Sequence, residues 1–423
     1  MGRIFFTILA VFLITESLYA DQTVKIGMNY PQTGPYKFIG IDQERGAQLA
    51  LDEINGAGGI LGRRIEIFRR DSKSNPVRSA LNATELIEQK GVSMVFGGAS
   101  SQVAIRVSDV CQQEGIPFMA TVTSANETTG KSGHRHTFRT CYSAWMGAKA
   151  LGVFLRKHFP ADTNRYFFIV ADYSWGRSAE ASIRKFSGAE NRDIHHVSYT
   201  RFPGITEQSL INKMQVARIR KANVLVLCHF GDDLTMAVRV ATELGLKKDM
   251  QIVVPILELS MCEGAGPENM EDIVGTSDFN WQVPFAYDYK KGKDFVGRFA
   301  DRYGRYPCWG AAKAYTILWE YKYAVERAGS FQAVDVIQSL EGHRFSLLKD
   351  EQEWRKFDHQ NIQTVYLVKC KQKEDVIKDR YQLDYFEIID SLPGNDAVRT
   401  YDEWKAARLE DGLPPYFEKL PGE

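Results

Sequence analysis

Two short runs rich in hydroxyl groups hold the residues of this sequence best suited to grip an anion. Gly97-Gly98-Ala99-Ser100-Ser101 follows a strand pattern at residues 93–96, and helical periodicity begins directly after it. Thr121-Val122-Thr123-Ser124-Ala125 follows a second strand pattern, residues 116–119. Adjacent glycines let a ligand approach the backbone, serines cap helices, and the N–H groups of a first helical turn attract negative charge. Ser100 by itself reads as an N-cap. The two runs together read as a carboxylate cradle whose charge-assisted hydrogen bonds contribute about 1.5–3 kcal/mol each. Both runs stand outside the carboxyl ends of strands, where ligands of open α/β sheets bind.

Catalytic and metal chemistry find no comparable set. Ser100-Ser101 does not occupy a G-x-S-x-G elbow, and no His/Asp pair matches it, so no enzyme is expected. His134-Arg135-His136 has no companion Cys/His cluster and reads as a surface loop; neither metal nor cofactor is expected. Gly56-Ala57-Gly58-Gly59 follows a helix rather than a strand and misses the dinucleotide spacing, which makes it a turn. Asp232-Asp233 reads as a helix cap.

Elements must position these groups, and the chain is long enough for two cores. It has 423 residues, 44% hydrophobic and 25% charged, which is ordinary for a globular protein. Lys+Arg and Asp+Glu are equal at 53 each, so nucleic acid is not an expected partner. Arg3, the apolar run 4–14 and the small-residue ending at Ala20 predict a secretory signal peptide over residues 1–20. That run is short for a membrane span of about 20 residues. Six cysteines (Cys111, Cys141, Cys228, Cys262, Cys308, Cys370) show no CxxC; a structural pair such as Cys228 with Cys262 is open in an oxidising compartment.

Strand and helix patterns alternate from residue 24 to residue 254, which predicts doubly wound, mostly parallel sheets. The first unit is fully legible: a strand at 24–28, a Pro/Gly loop at 31–40, a helix carrying Ala47, Ala50, Leu51 and Ile54 on one face, a glycine turn, and a strand at 65–68. Three helices follow in the last third, then a strand at 365–368 and a polar tail from Asp390 that reads as a short helix and loops packed outside, or a partly disordered end.

That first unit also resembles a known family. TGPY at 33–36, Gly40, LALDEIN at 49–55, GGILGR at 58–63 and a trailing strand ending in Asp71 are similar to type I periplasmic solute-binding proteins of ABC importers. The nearest group is the leucine/isoleucine/valine-binding proteins. The resemblance covers nearly all of the chain to about residue 389. It implies the two-lobed periplasmic binding protein type I fold, α/β, with three hinge crossings near 139–142, 277–280 and 354–359. Lobe one is then 21–140 plus 278–357, lobe two 141–277 plus 358–389, and 390–423 a C-terminal extension.

The resemblance further implies a monomeric periplasmic or extracellular receptor that closes on a small carboxylate, such as a branched-chain or other amino acid or an apolar or aromatic acid. The receptor would deliver it to a membrane permease. The family's carboxylate-binding serine falls on Ser101, its second loop on Val122, Thr123 and Ser124, and its two aromatic contacts on Trp175 and Phe230. These two follow strand patterns at 166–170 and 224–227 and would offer flat apolar walls, with neighbouring Asp172 and Tyr173 as further candidates. Two features depart from the family. Phe230 has no hydroxyl where tyrosine is common, and Pro255-Ile256-Leu257 stands where an acidic group would hold an α-ammonium, with Glu258 just beyond. A sensor for amides or urea is the alternative role on the same fold, and a secreted hydrolase the remote one.

Overall fold

The computed structural model describes residues 23–423, so the signal-peptide segment lies outside the described residues. Among the described residues the strands are β1 (Val24–Tyr30), β2 (Ile65–Asp71), β3 (Met94–Gly97), β4 (Phe118–Ala120), β5 (Thr137–Arg139), β6 (Tyr166–Ala171), β7 (His196–Thr200), β8 (Val224–Cys228), β9 (Gln251–Val254), β10 (Val274–Ser277), β11 (Arg344–Phe345), β12 (Gln352–Trp354), β13 (Asn361–Ile362), β14 (Val365–Cys370) and β15 (Phe386–Leu392). The first sheet has the order β2-β1-β3-β4-β5 and is parallel throughout. The second has the order β15-β14-β10-β9-β8-β6-β7, with an antiparallel edge at β14 and β15. β11, β12 and β13 form a small antiparallel sheet of their own.

Strand alternation explains how the first sheet is covered. Met94 and Phe96 face the core shared with Ala47, Ala50 and Ile54 of the helix Lys37–Gly56. Val95, between them, faces a separate cluster with Val103 and Val107 of the helix Ser101–Glu114. A sheet buried on both faces stays rigid, and the loops at its carboxyl edge inherit that rigidity. In both sheets the strand order reverses beside a site loop: between β1 and β3 in the first, and between β6 and β8 in the second. Such switch points open a crevice at the strands' carboxyl ends.

Several expectations shift. The loop expected over 31–40 is cut short because the helix starts at Lys37. Gly40 lies inside that helix, where a Cβ would meet the Pro31 carbonyl oxygen at 1.7 Å; it is glycine for close approach, not for a loop. β5 and the small sheet were not legible, because pieces of two or three residues carry no periodicity. β15, seven residues long, is a mostly exposed edge strand without a clean apolar alternation. The third passage, expected at 354–359, lies further on. Gln360 bridges to Arg139 beside β5, and the His359 ring stacks on Phe138 at 3.9 Å, so these residues stay with the first sheet. The chain joins the second sheet only at β14.

The tail also differs. After β15 it returns to the first lobe, where the helix Tyr401–Glu410 starts at a capping box of Thr400 and Glu403. Trp404 is 1% exposed and donates from Nε1 to Thr129 O. His134, expected on a surface loop, bonds Glu418 at 2.7 Å and Asp109 at 3.2 Å, and His136 is buried against Gln112. Glu418 is drawn down to about 2 by His134 and the backbone amides around it, despite opposing burial. Glu418 and Trp404 lie 284 and 275 positions from their partners His134 and Thr129, so a local pattern could not reveal these contacts. All six cysteines are free and buried; Cys262 lies against Cys370 rather than Cys228. No helix among the described residues is long and apolar enough to cross a membrane.

Candidate functional site

β3 ends in Gly97, whose φ of +127° and contact with Asn29 O (2.4 Å from an added Cβ) exclude any side chain. The chain then turns into the helix Ser101–Glu114, with Ser100 at the N-cap in extended conformation. Its side chain makes no capping bond, and the Ser100 Oγ is buried without a partner. The helix therefore begins with first-turn N–H groups that no side chain satisfies, a setting that favours an anion. Ser101 Oγ accepts the Ala125 amide at 3.1 Å, which ties the two hydroxyl-rich loops together and leaves the serine hydrogen free to donate.

Ser101, Val122, Ser124, Tyr173, Trp175 and Phe230 line one cavity, together with Ala99 and Ile256. The first lobe thus contributes the hydroxyls and the second lobe the aromatic wall. The cavity is about 10 Å³, room for roughly one water. Thr123 is turned away: its Oγ1 pairs with Thr128 Oγ1 at 2.9 Å and its amide meets the Cys141 Sγ. Ser100 does not line the cavity either, and Asp172 is drawn outward to Arg177.

Thr121 braces rather than lines. Its hydroxyl lies 2.8 Å from Gln43 Oε1 and 2.7 Å from Gly98 O, which holds the glycine turn against the helix Lys37–Gly56. Thr121→Val should cost about 1–3 kcal/mol, since it strands the buried Gln43 oxygen. Urea unfolding should register that loss while ligand affinity changes less than threefold. An affinity loss without a stability loss would mean that Thr121 touches the ligand.

The aromatic wall is deeper than the sequence indicates. Tyr36, from the first lobe, stacks on Phe202 at 5.9 Å, meets Phe230 edge-on at 5.2 Å, and shares a 3.1 Å hydroxyl contact with Tyr173. Tyr173 in turn stacks on Phe202 at 4.1 Å, and Trp309 packs against Phe230. Burial pushes the Tyr36 and Tyr173 hydroxyls well above their ordinary range, so both remain neutral donors. Phe202 follows β7 and obeys the same strand-end rule as Trp175; Trp309 opens a helix shortly after the helix Lys290–Tyr303, follows no strand, and offered no such signal.

No carboxylate lines the cavity among the described residues. Glu258, the acid nearest the expected position, caps the helix Leu259–Ala265 by accepting from the Ser260 amide and hydroxyl. Burial raises its carboxyl above the usual range. Asp233 is likewise raised to about 6 by burial and by neighbouring Asp232, and it does not line the cavity. Among the described residues no group of three or more His, Cys, Asp or Glu is placed to hold a metal.

Comparison with known proteins follows this geometry. The family described as periplasmic binding protein matches residues 23–375. The Leu/Ile/Val-binding protein homolog 8 of Brucella abortus is 38% identical over 126 residues, which span 30% of this chain and under a third (31%) of that relative. A periplasmic binding protein from Burkholderia mallei superposes with a TM-score of 0.80 at 22% identity, over 90% of this chain and 97% of its own. A solute-binding protein of an ABC transporter from Rhodopseudomonas palustris, in complex with 3,4-dihydroxybenzoic acid, gives 0.76 at 16% identity, over 90% and 99%. With its family model matching residues 23–375, this chain belongs to the periplasmic binding protein family, and it shares the fold of the Burkholderia structure.

Proposed function

We propose that this protein is the exported solute-binding component of an ABC importer, and that its cargo is a small carboxylate with an apolar or aromatic body and no α-ammonium group. The observation that carries the reading is the make-up of the cavity wall. Hydroxyls of Ser101 and Ser124 and an uncapped helix start face Trp175, Phe230 and Tyr173, with no carboxylate among the lining residues. An ammonium buried there would lack a counter-charge, which costs several kcal/mol, whereas a carboxylate gains two or three charge-assisted bonds. With apolar burial added, those bonds reach the roughly 8 kcal/mol of a micromolar binder. The Brucella relative is named for branched-chain amino acids and the Rhodopseudomonas structure holds an aromatic acid. The missing acidic partner favours the second kind of cargo.

The mechanism is capture by hinge closure, with the residues 21–140 plus 278–362 and 141–277 plus 363–392 as the moving bodies. A benzoate-sized ligand does not fit the present cavity of about 10 Å³, so the two walls must part to admit it. Because each lobe supplies different contacts, ligand favours the closed arrangement over the open one. No bond of the cargo is broken, and the closed receptor is what a membrane permease would engage.

A thermal-shift screen over branched-chain and aromatic amino acids, benzoates, short-chain acids and their amides tests this directly. An apolar or aromatic acid should raise Tm and reduce the radius of gyration in solution scattering, while its amide should do neither. Tighter binding of an amino acid than of its deaminated analogue would sink the cargo assignment. A tight ligand that causes no compaction would sink the closure mechanism.

A further inference from the structure

A second pair of cavities lies where both lobes meet the C-terminal extension. The inner chamber is small and lined by Arg139, Arg355 and Arg399 with Asp358 as its carboxylate. The outer one, about 240 Å³, is bounded by Glu127 and Lys131 of the first lobe, Arg177 of the second, and Arg399, Arg408 and Asp411 of the extension. Arg399 and Asn126 line both chambers, so the Arg399 side chain forms part of the wall between them.

Positive charge here is poorly matched. Arg139 is 2% exposed, yet its three hydrogen bonds go to neutral acceptors: Gln360 Oε1, Ala125 O and Thr129 Oγ1. Arg408 is also buried and donates only to the carbonyls of Gly130, Pro414 and Tyr416. Arg399 stacks over the Trp145 ring at 4.5 Å, but its Nε is buried with no partner. The carboxylates nearby are already engaged. Asp358 forms a bidentate pair with Arg355, Glu127 accepts from Ser178 Oγ, and Glu403 caps the Thr400 amide. Asp411 stands 3.9 Å from Lys131, and Arg177 is taken by Asp172 outside the cavity.

Burial depresses all three guanidiniums, Arg139 to about 10, and neighbouring arginines lower Arg139 and Arg399 further, while Glu127, Glu403 and Asp358 offset part of this at Arg399, and Glu418 and Asp411 at Arg408. Desolvated positive charge of this kind is costly until an anion offsets it. A planar guanidinium also matches the oxygens of a tetrahedral oxyanion geometrically.

We propose that the outer chamber is an anion site for a small inorganic oxyanion of the phosphate or sulfate type, with Arg399 as its principal ligand and Arg408 and Lys131 completing the field. Its walls come from both lobes and the extension. Asn126 already links the two lobes, since its amide donates to Ser178 Oγ and its side chain donates to Ser182 Oγ and accepts from the Trp145 amide. An oxyanion bound there adds a tie between the lobes and the extension. The site stands on its own charges and does not depend on the identity of that cargo.

Isothermal titration of inorganic phosphate, and separately sulfate, into the full exported chain at fixed ionic strength tests the assignment with no cargo present. Saturable binding is expected, weakened at least tenfold in Arg399→Gln and kept within threefold in Arg399→Lys. Lys131→Gln, at a half-exposed position on the rim, should weaken binding about threefold and keeps the test decisive if Arg399→Gln folds poorly. No saturable binding to the wild-type chain overturns the proposal, as does equal binding by wild type, Arg399→Gln and Lys131→Gln.

Discussion

Replacing Ser101 and Ser124 together with alanine should weaken capture of the cargo at least tenfold while leaving the fold intact. Each hydroxyl faces the cavity from a different loop, and each would donate one charge-assisted bond to a carboxylate. Losing two such bonds removes about 3–6 kcal/mol in principle. Water entering the wider cleft recovers part of that, so tenfold is the floor rather than the centre of the expectation. Ser101→Ala alone also strands the Ala125 amide, which now bonds Ser101 Oγ, and should lower stability by about 1 kcal/mol. Ser124→Ala has no such penalty: its hydroxyl's neighbour is the Cys141 sulfur at 3.7 Å, a weak contact. Calorimetric titration with the best acid from the screen measures the affinities, and urea unfolding separates the stability component. Unchanged affinity in the double variant would remove these loops from the site.

Acid should destabilise this protein through His229, with the largest single stability effect expected for one side chain. His229 follows β8, directly before the wall residue Phe230, and is fully buried. Its Nε2 lies 3.0 Å from Thr200 Oγ1, and its Nδ1 has no partner. Burial pulls its pKa from 6.5 to about 3. The sign follows from linkage: the unfolded chain takes up the proton below about pH 6.5, and the folded chain refuses it until about pH 3. Folded-state stability is therefore complete above pH 6.5 and is lost progressively as pH falls toward 3, on the order of 4 kcal/mol across the interval. Between pH 7 and pH 4.5 the wild type should lose about 2–3 kcal/mol more than His229→Gln, which keeps a nitrogen near Thr200 and cannot titrate. Urea unfolding at the two pH values is the measurement. Parallel losses in the two proteins would mean that the ring is accessible to protons in the folded state.

Much of this site was legible in the sequence for one reason: in an open α/β sheet, function gathers at strand ends beside a reversal of strand order. Ser101, Val122, Ser124, Tyr173, Trp175 and Phe230 each stand just past a strand that apolar runs and flanking glycines made recognisable, and all six share a cavity. Thr123 failed because proximity in sequence does not determine where a rotamer points; its hydroxyl found Thr128 five residues on. Ser100 held the predicted N-cap position but not the capping bond. Ile256 sits where an acid was sought, and the strand-end rule locates a position without naming its chemistry. The loop at 31–40 was a candidate to reach the ligand through Tyr36 or Phe38, but the packing of Tyr36 on Phe202 and Phe230 requires the lobes to meet.

Local periodicity and turn residues thus determined the α/β class and the hydroxyl-rich strand-end loops, and the motif run from residue 33 to residue 71 carried the family resemblance and, through it, the aromatic wall. The three-dimensional arrangement alone decided which hydroxyls face inward, that the tail returns from β15 to cover His134 and bury Trp404, and that arginines far apart in sequence converge on one chamber. These outcomes depend on contacts between segments separated by tens to hundreds of residues. There, burial and charge balance in the assembled molecule determine the result, and no local pattern encodes them.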